Sequence, residues 1–175
     1  MKKLLFSLFA VLAIAFTSCD EITPDIDIDN DMNPEFVIPP YSKADTTFKI
    51  EKLGIENNIE EELKANSLSL DNIKEVTLEG VKLTVMIPST DDFSFLKNVS
   101  LSVNAPGLTE LEIAGLDNVP ANSETIELET PAGVNLIDYI KSPTLDVVFS
   151  GASKEAVTDS TRIEAEIKYT VKAGL

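Results

Sequence analysis

The chain has 175 residues, with 14 Lys or Arg against 30 Asp or Glu, and its formal charge at pH 7 is −16. This length suits one domain with one hydrophobic core, and the acidic charge excludes nucleic acid as a general partner because phosphates are repelled. The chain has no His and a single Cys, which excludes Ser-His and Cys-His catalytic sites and the usual zinc sites.

The first eighteen residues have the pattern of a secretory signal peptide. Lys2 and Lys3 precede an apolar run from Leu4 to Phe16 that only Ser7 interrupts. Those thirteen residues are too few for a membrane span, which needs about 20 apolar residues. We therefore predict that residues 1–18 are removed and that the mature chain, with 12 basic and 30 acidic residues, carries a formal charge of −18.

The segment Phe16-Thr17-Ser18-Cys19 ends this signal and resembles the lipobox of bacterial lipoproteins. In that class the Cys sulfur is acylated and the chain is then cut just before the Cys. Ser18 is suitably small, while Phe16 replaces the commoner Leu. The resemblance implies that Cys19 carries several acyl chains, palmitate included, which would attach the protein to a membrane permanently. The alternative is an incidental Cys near an ordinary cleavage site, but acylation accounts for a lone Cys in an exported chain, which has no internal disulfide partner.

Asp20 and Glu21 follow the Cys directly and resemble the acidic export signal of many Bacteroidetes lipoproteins. This resemblance implies lipid anchoring at the outer membrane with exposure at the cell surface. In an enterobacterium, Asp20 beside the lipidated Cys would instead imply retention in the inner membrane. We expect the outer membrane, and the sequence leaves open which of its sides the protein faces.

Residues 19–45 are predicted to be the lipidated Cys followed by an unfolded tether. Residues 20–45 include eight acidic residues, four prolines and one basic residue, and such a composition favours disorder. Carboxylates alternate from Asp25 to Asp31, but an EF-hand loop starting at Asp27 would have Met32 where Gly is needed and Ile38 where Glu is needed. We therefore predict a solvated acidic linker without a metal site.

Residues 46–175 are predicted to form one β domain. Alternation of period two is clearest from Arg162 to Val171, where one face is apolar and the other is mostly charged. In an earlier strand the apolar positions change parity after Leu78 and continue through Ile87, which predicts a bulge at Glu79-Gly80.

Further strands are predicted at residues 48–53, 99–103, 108–113, 125–129 and 144–149, separated by turns at 105–107, 117–120, 131–133 and 150–152. Short helical turns are predicted at 58–64, 92–97 and 136–140, the last with Asn135 as its cap. About seven strands without βα alternation predict an all-β fold, an antiparallel β-sandwich that is immunoglobulin-like in general architecture.

Two short motifs indicate modification. Asp45-Thr46-Thr47 and Asp159-Ser160-Thr161 resemble the acceptor motif for O-glycosylation in Bacteroidetes, which implies Thr46 and Ser160 as candidate acceptors. Asp, Ser and Thr are also ordinary turn residues, so simple turns are the alternative.

The remaining sequence favours a noncatalytic protein without a cofactor. Ser94 and Lys97 satisfy Ser-x-x-Lys but lack the companion motifs of penicillin-binding enzymes, and no carboxylate pair stands out among the 30 acids. The predicted function is a membrane-anchored lipoprotein that presents a β-sandwich for protein interaction, adhesion or assembly. Its expected partners are the membrane, through Cys19, and an unidentified protein. The alternative is a carrier that binds a lipid or hydrophobic small molecule between its sheets.

Overall fold

A computed structural model describes residues 25–41, 43–87 and 92–175. The described residues form nine strands: β1 (Ile26–Met32), β2 (Glu35–Ile38), β3 (Thr47–Glu56), β4 (Ile73–Ile87), β5 (Leu96–Asn104), β6 (Leu111–Asp117), β7 (Thr125–Leu128), β8 (Thr144–Ser153) and β9 (Thr161–Ala173). Two short helices, α1 (Ile59–Ala65) and α2 (Ile137–Ile140), and two single 3₁₀ turns, Leu70–Asn72 and Phe93–Phe95, lie in the connections.

The strands form two antiparallel sheets that pack face to face. The first sheet has the order β1-β9-β4-β7, with β2 continuing beside β9 where β1 ends, and the second has the order β3-β8-β5-β6. The predicted all-β antiparallel sandwich is confirmed. The strand count is higher than the predicted seven, and the additional strands are β1 and β2.

These two strands lie in the segment that the sequence analysis predicts as a tether. β1 pairs with β9 from Ile26 opposite Ala173 onward, and β2 pairs with the same strand up to Ile38 opposite Thr161. Alternate side chains point inward and are buried, at Ile28, Met32, Phe36 and Ile38. The prediction of an unfolded tether is therefore wrong over these strands, because the abundance of carboxylates concealed a period-two pattern in which the acids occupy only the outer face.

Several local predictions are confirmed. The register of β4 against β9 shifts between Leu78 and Gly80, where the change of parity predicted a bulge. The helical turn predicted at 58–64 is α1, in which Ile59 and Leu63 are buried and Lys64 forms an ion pair with Glu60 at 2.7 Å. The Asn135 side chain accepts a hydrogen bond from the Ile137 N–H at the start of α2.

Three other local predictions are wrong. The predicted turn at residues 150–152 lies inside β8, where the backbone pairs with both neighbouring strands. β6 begins at Leu111 and ends at Asp117, so it starts later than predicted and includes the first residue of a predicted turn. Ile87 is exposed, because a further register shift between Val85 and Ile87 reverses the inward face at the end of β4.

Aromatic rings join the two sheets. Phe36 of the first sheet stacks on Phe149 of the second with ring centroids 5.3 Å apart, and Phe149 stacks on Phe48 at 5.4 Å. Phe36 and Phe149 are buried, as are most inward side chains of β4, β5, β8 and β9. The space between the sheets is thus filled by side chains, as a packed core requires.

The two ends of the sandwich differ. At one end, called the helix end, the α1 and α2 connections meet the β5–β6 turn, the start of β1 and the end of β9. Two hydrogen bonds join these segments: Tyr139 Oη donates to the Thr109 carbonyl at 2.6 Å, and the Gly174 N–H donates to the Asn72 carbonyl. At the loop end, the β2–β3, β4–β5, β6–β7 and β8–β9 connections meet, and Tyr41 exchanges backbone hydrogen bonds with Val157.

Candidate binding surfaces

The predicted anchor and export residues, Cys19, Asp20 and Glu21, lie outside the residues that the structure describes. The first described residue, Asp25, lies at the helix end, where its carboxylate accepts a hydrogen bond from Lys74 Nζ at 2.7 Å. This contact with the ammonium holds the pKa of Asp25 below its ordinary value. The chain therefore enters the domain at the helix end.

The two candidate glycosylation residues both lie at the loop end but differ in environment. Ser160 is exposed in the segment before β9. Thr46 is half-buried, its Oγ1 donates to the Lys43 carbonyl at 2.8 Å, and its N–H donates to Ser153 Oγ. Since a transferase needs an accessible hydroxyl, the geometry favours Ser160 over Thr46, and modification of either stays a prediction.

An outer groove of about 750 Å³ runs over the second sheet, and short side chains form its floor. Ser100 of β5 lies opposite Ser150 of β8 on one side and Gly115 of β6 on the other. Longer acidic side chains, Glu112 and Asp117, line the groove near its β6 edge. The groove suits a polar ligand or a polar protein segment rather than an apolar one.

An ion pair crosses the same face beside the groove. Lys49 lies in β3 and Glu110 directly precedes β6, and Lys49 Nζ lies 2.6 Å from Glu110 Oε2. Since β3 and β6 are the two edges of the second sheet, the pair spans β8 and β5. The hydrogen bond to Glu110 raises the pKa of Lys49. Two outward-pointing residues of the strands between them, Val148 of β8 and Ser102 of β5, are buried, at 2% and 6% exposure.

This groove is not predicted above, although the sequence of β5 contains the pattern of its floor. From Asn98 onward, the outward positions of β5 are short polar residues: Asn98, Ser100, Ser102 and Asn104. Such a run on a strand face signals a shallow floor. Which residues of β6 and β8 complete the groove floor beside β5 follows only from the strand order, since β6 and β8 are not consecutive in the chain.

The outer face of the first sheet carries a network of charges. Glu166 of β9 forms ion pairs with Lys82 and with Lys168, the latter at 2.9 Å, and these two ammonium groups lower the pKa of Glu166. Asp29 of β1 accepts a hydrogen bond from Thr170 Oγ1 at 2.9 Å. In the described part of the chain, no group of three or more His, Cys, Asp or Glu residues is arranged to hold a metal ion.

A smaller cleft of about 330 Å³ opens at the loop end. Asp92, Glu155 and Asp159 line it together with hydroxyl-bearing side chains. The Asp92 carboxylate caps the 3₁₀ turn by accepting a hydrogen bond from the Ser94 N–H at 2.8 Å, and hydrogen bonds from Ser94 lower the pKa of Asp92. The cleft is acidic and polar.

Comparisons with known proteins add little. No protein-family model matches the chain, and no curated protein matches it. Among solved structures, one of Desmodium yellow mottle tymovirus is 10% identical and aligns over 100% of this chain and 96% of that chain, with a TM-score of 0.29. A TM-score this low supports no inference about function. Within residues 25–41, 43–87 and 92–175, no helix has the length and hydropathy needed to cross a membrane.

Proposed function

We propose that this protein is a noncatalytic lipoprotein, anchored by acylated Cys19 at the outer membrane, whose β-sandwich serves protein interaction, adhesion or assembly. One observation carries the interaction role: the core contains the stacked rings of Phe36, Phe149 and Phe48, whereas the groove over the second sheet lies on the outside and is mainly polar. A filled core supports binding through the surface, since a hydrophobic ligand would need space between the sheets.

The anchor is supported by its sequence and by where the chain enters the domain. The signal peptide ends at a lipobox-like segment, and β1 begins at Ile26, seven residues after Cys19. The lipid would therefore hold a folded domain through a short link rather than through a long tether.

The anchor is tested in the native bacterium by the mass of the mature N-terminal peptide and by protease treatment of intact cells. Acylated Cys19 with cleavage on intact cells is expected, with Cys19→Ser as the control that loses both the lipid mass and membrane attachment. Acylation with protection from protease would place the domain on the periplasmic side. An unmodified Cys19 in the mature protein would disprove the anchor.

The carrier alternative is tested by native mass spectrometry of the unanchored Cys19→Ser protein, purified in soluble form from the native bacterium. The interaction role predicts that the Cys19→Ser protein carries no additional noncovalent lipid or apolar molecule, because the core offers no space. A bound apolar molecule that is released on unfolding would favour the carrier instead.

A further inference from the structure

The position of β1 determines how the domain is oriented on its anchor. Ile26 pairs with Ala173 at the helix end, and the ion pair between Asp25 and Lys74 fastens the chain there. From this point β1 and β2 run toward the loop end, with Ile38 opposite Thr161. The link to Cys19 therefore leaves the domain from the helix end.

The link is short compared with the domain. Five residues, 20–24, separate Cys19 from Asp25, and six Cα–Cα steps of at most about 3.5 Å allow a reach of about 20 Å. Strand β9 has 13 residues and runs the length of the first sheet. At about 3.3 Å per residue it is about 40 Å long. The loop end therefore cannot reach the membrane that holds Cys19 without the domain lying flat.

Charge opposes the flat arrangement. On the outer face of the first sheet, Asp27, Asp29 and Asp31 of β1 point to solvent. Of the basic residues on this face, Lys82 and Lys168 pair with Glu166, Lys74 pairs with Asp25, Arg162 pairs with Glu35, and Lys172 lies opposite Asp27. On the second sheet, Lys49 is engaged by Glu110, as described above. Neither face offers free basic side chains comparable in number to its carboxylates, so an anionic lipid surface repels both.

We infer that the helix end faces the membrane and that the loop end, with its four connections and its acidic cleft, projects away from it. This orientation rests on the proposed anchor at Cys19. It makes the loop end the surface that an approaching protein partner meets first, and it places Ser160 at the exposed tip.

The orientation is tested with two matched reporter cysteines. Ala65, the last residue of α1 at the helix end, and Ala156, in the β8–β9 connection at the loop end, are both exposed. Because acylation blocks the sulfur of Cys19, the only native Cys, Ala65→Cys and Ala156→Cys each provide one reactive thiol. Each full-length lipidated protein is labelled with a fluorescent donor and reconstituted into phosphatidylcholine and phosphatidylglycerol vesicles with an energy acceptor on the headgroups.

Strong energy transfer is expected from position 65 and weak transfer from position 156. Insertion of about 20 Gly and Ser residues before Asp25 should reduce this difference, because the longer link exceeds the length of the domain. Equal transfer from the two positions without the insertion, or a reversed order, would overturn the orientation while leaving the anchor intact. Failure of the wild-type protein to bind vesicles at all would overturn the anchor and, with it, the orientation.

Discussion

The space around one residue explains why β8 contains a glycine. Gly151 lies near the end of β8, where an added Cβ would come within 2.6 Å of the Asn98 carbonyl oxygen and 2.7 Å of Phe48 Cζ. Glycine is required here because the Phe48 ring occupies the place of a side chain. The same residue suggested a turn in the sequence, since isolated glycines usually interrupt strands.

Gly151→Ala should therefore destabilise the protein by about 1–3 kcal/mol, because either the ring or the β5 backbone must move. Gly80→Ala is the matched control, since Gly80 also lies in a strand but an added Cβ there meets nothing within 4 Å. The free energies of unfolding are measured by urea denaturation. Equal effects of the two substitutions would contradict the close packing of Phe48 on Gly151.

Tyr169 combines burial with nearby negative charge. Its side chain points into the core from β9, and burial, followed by the charges of Glu62 and Asp31, raises its pKa to about 12. A tyrosine with this raised pKa stabilises the folded state below pH 10 and loses that contribution as the pH rises through 12, because the unfolded chain releases its proton first.

Tyr169→Phe should remove this part of the alkaline destabilisation. Between pH 9 and pH 12 the wild-type protein is expected to lose about 2 kcal/mol more than the variant, a figure that follows from the pKa difference between the folded and unfolded states. Urea denaturation across this range provides the measurement. Parallel pH profiles for the two proteins would show that the Tyr169 hydroxyl is not shielded from water.

At the level of the elements, strands β1 and β2 are the least expected part of the fold. Their sequence contains a carboxylate at nearly every second position. This composition predicts a linker, although the segment forms half-buried edge strands. Pro34 lies between the two strands and Pro39 follows the second, so both occupy places where no ladder hydrogen bond is required. Pairing with β9 converts the segment from a spacer into part of the core.

Phe36→Ala should therefore cost about 3–5 kcal/mol of stability, as is usual for a buried aromatic residue. Phe36 is 1% exposed and stacks on Phe149, whereas its neighbour Val37 is 49% exposed and provides the control. Val37→Ala should change stability by less than about 0.5 kcal/mol. If Phe36→Ala were equally mild in urea denaturation, the segment would be a tether after all.

Other elements could be predicted because their signals are local. β9 alternates over its whole length, and α1 places Ile59 and Leu63 one turn apart on a single face. The bulge near Gly80 follows from a change of parity within one strand. Ile87 and Gly151 could not be predicted, because a register shift against β9 and the ring of Phe48, respectively, decide their environments.

For the molecule as a whole, excess negative charge is the dominant electrostatic feature. Among the described residues, seven basic side chains form ion pairs: Lys49, Lys64, Lys74, Lys82, Lys97, Lys168 and Arg162. Since the chain has 14 basic and 30 acidic residues, most carboxylates must lack such a partner. Their mutual repulsion destabilises the compact state.

The free energy of unfolding should accordingly increase by on the order of 1 kcal/mol between low salt and about 0.5 M NaCl. The reason is that screening weakens the repulsion between carboxylates more than it weakens the few exposed ion pairs. Thermal unfolding at several salt concentrations measures this effect. Replacement of Asp27, Asp29 and Asp31 together by Asn should reduce the salt dependence. A protein that becomes less stable as salt is added would show that the ion pairs outweigh the repulsion.

The sequence alone determined the all-β class, the charge and the expectation of a lipidated Cys19, because composition, hydrophobic period and short motifs are properties of neighbouring residues. Only the tertiary structure decided that β1 and β2 belong to the domain, that serines of β5 and β8 form one groove floor, and that the chain enters at the helix end. These features depend on pairing between strands far apart in the chain, and β9 is the strand that brings the first and last parts of the domain together.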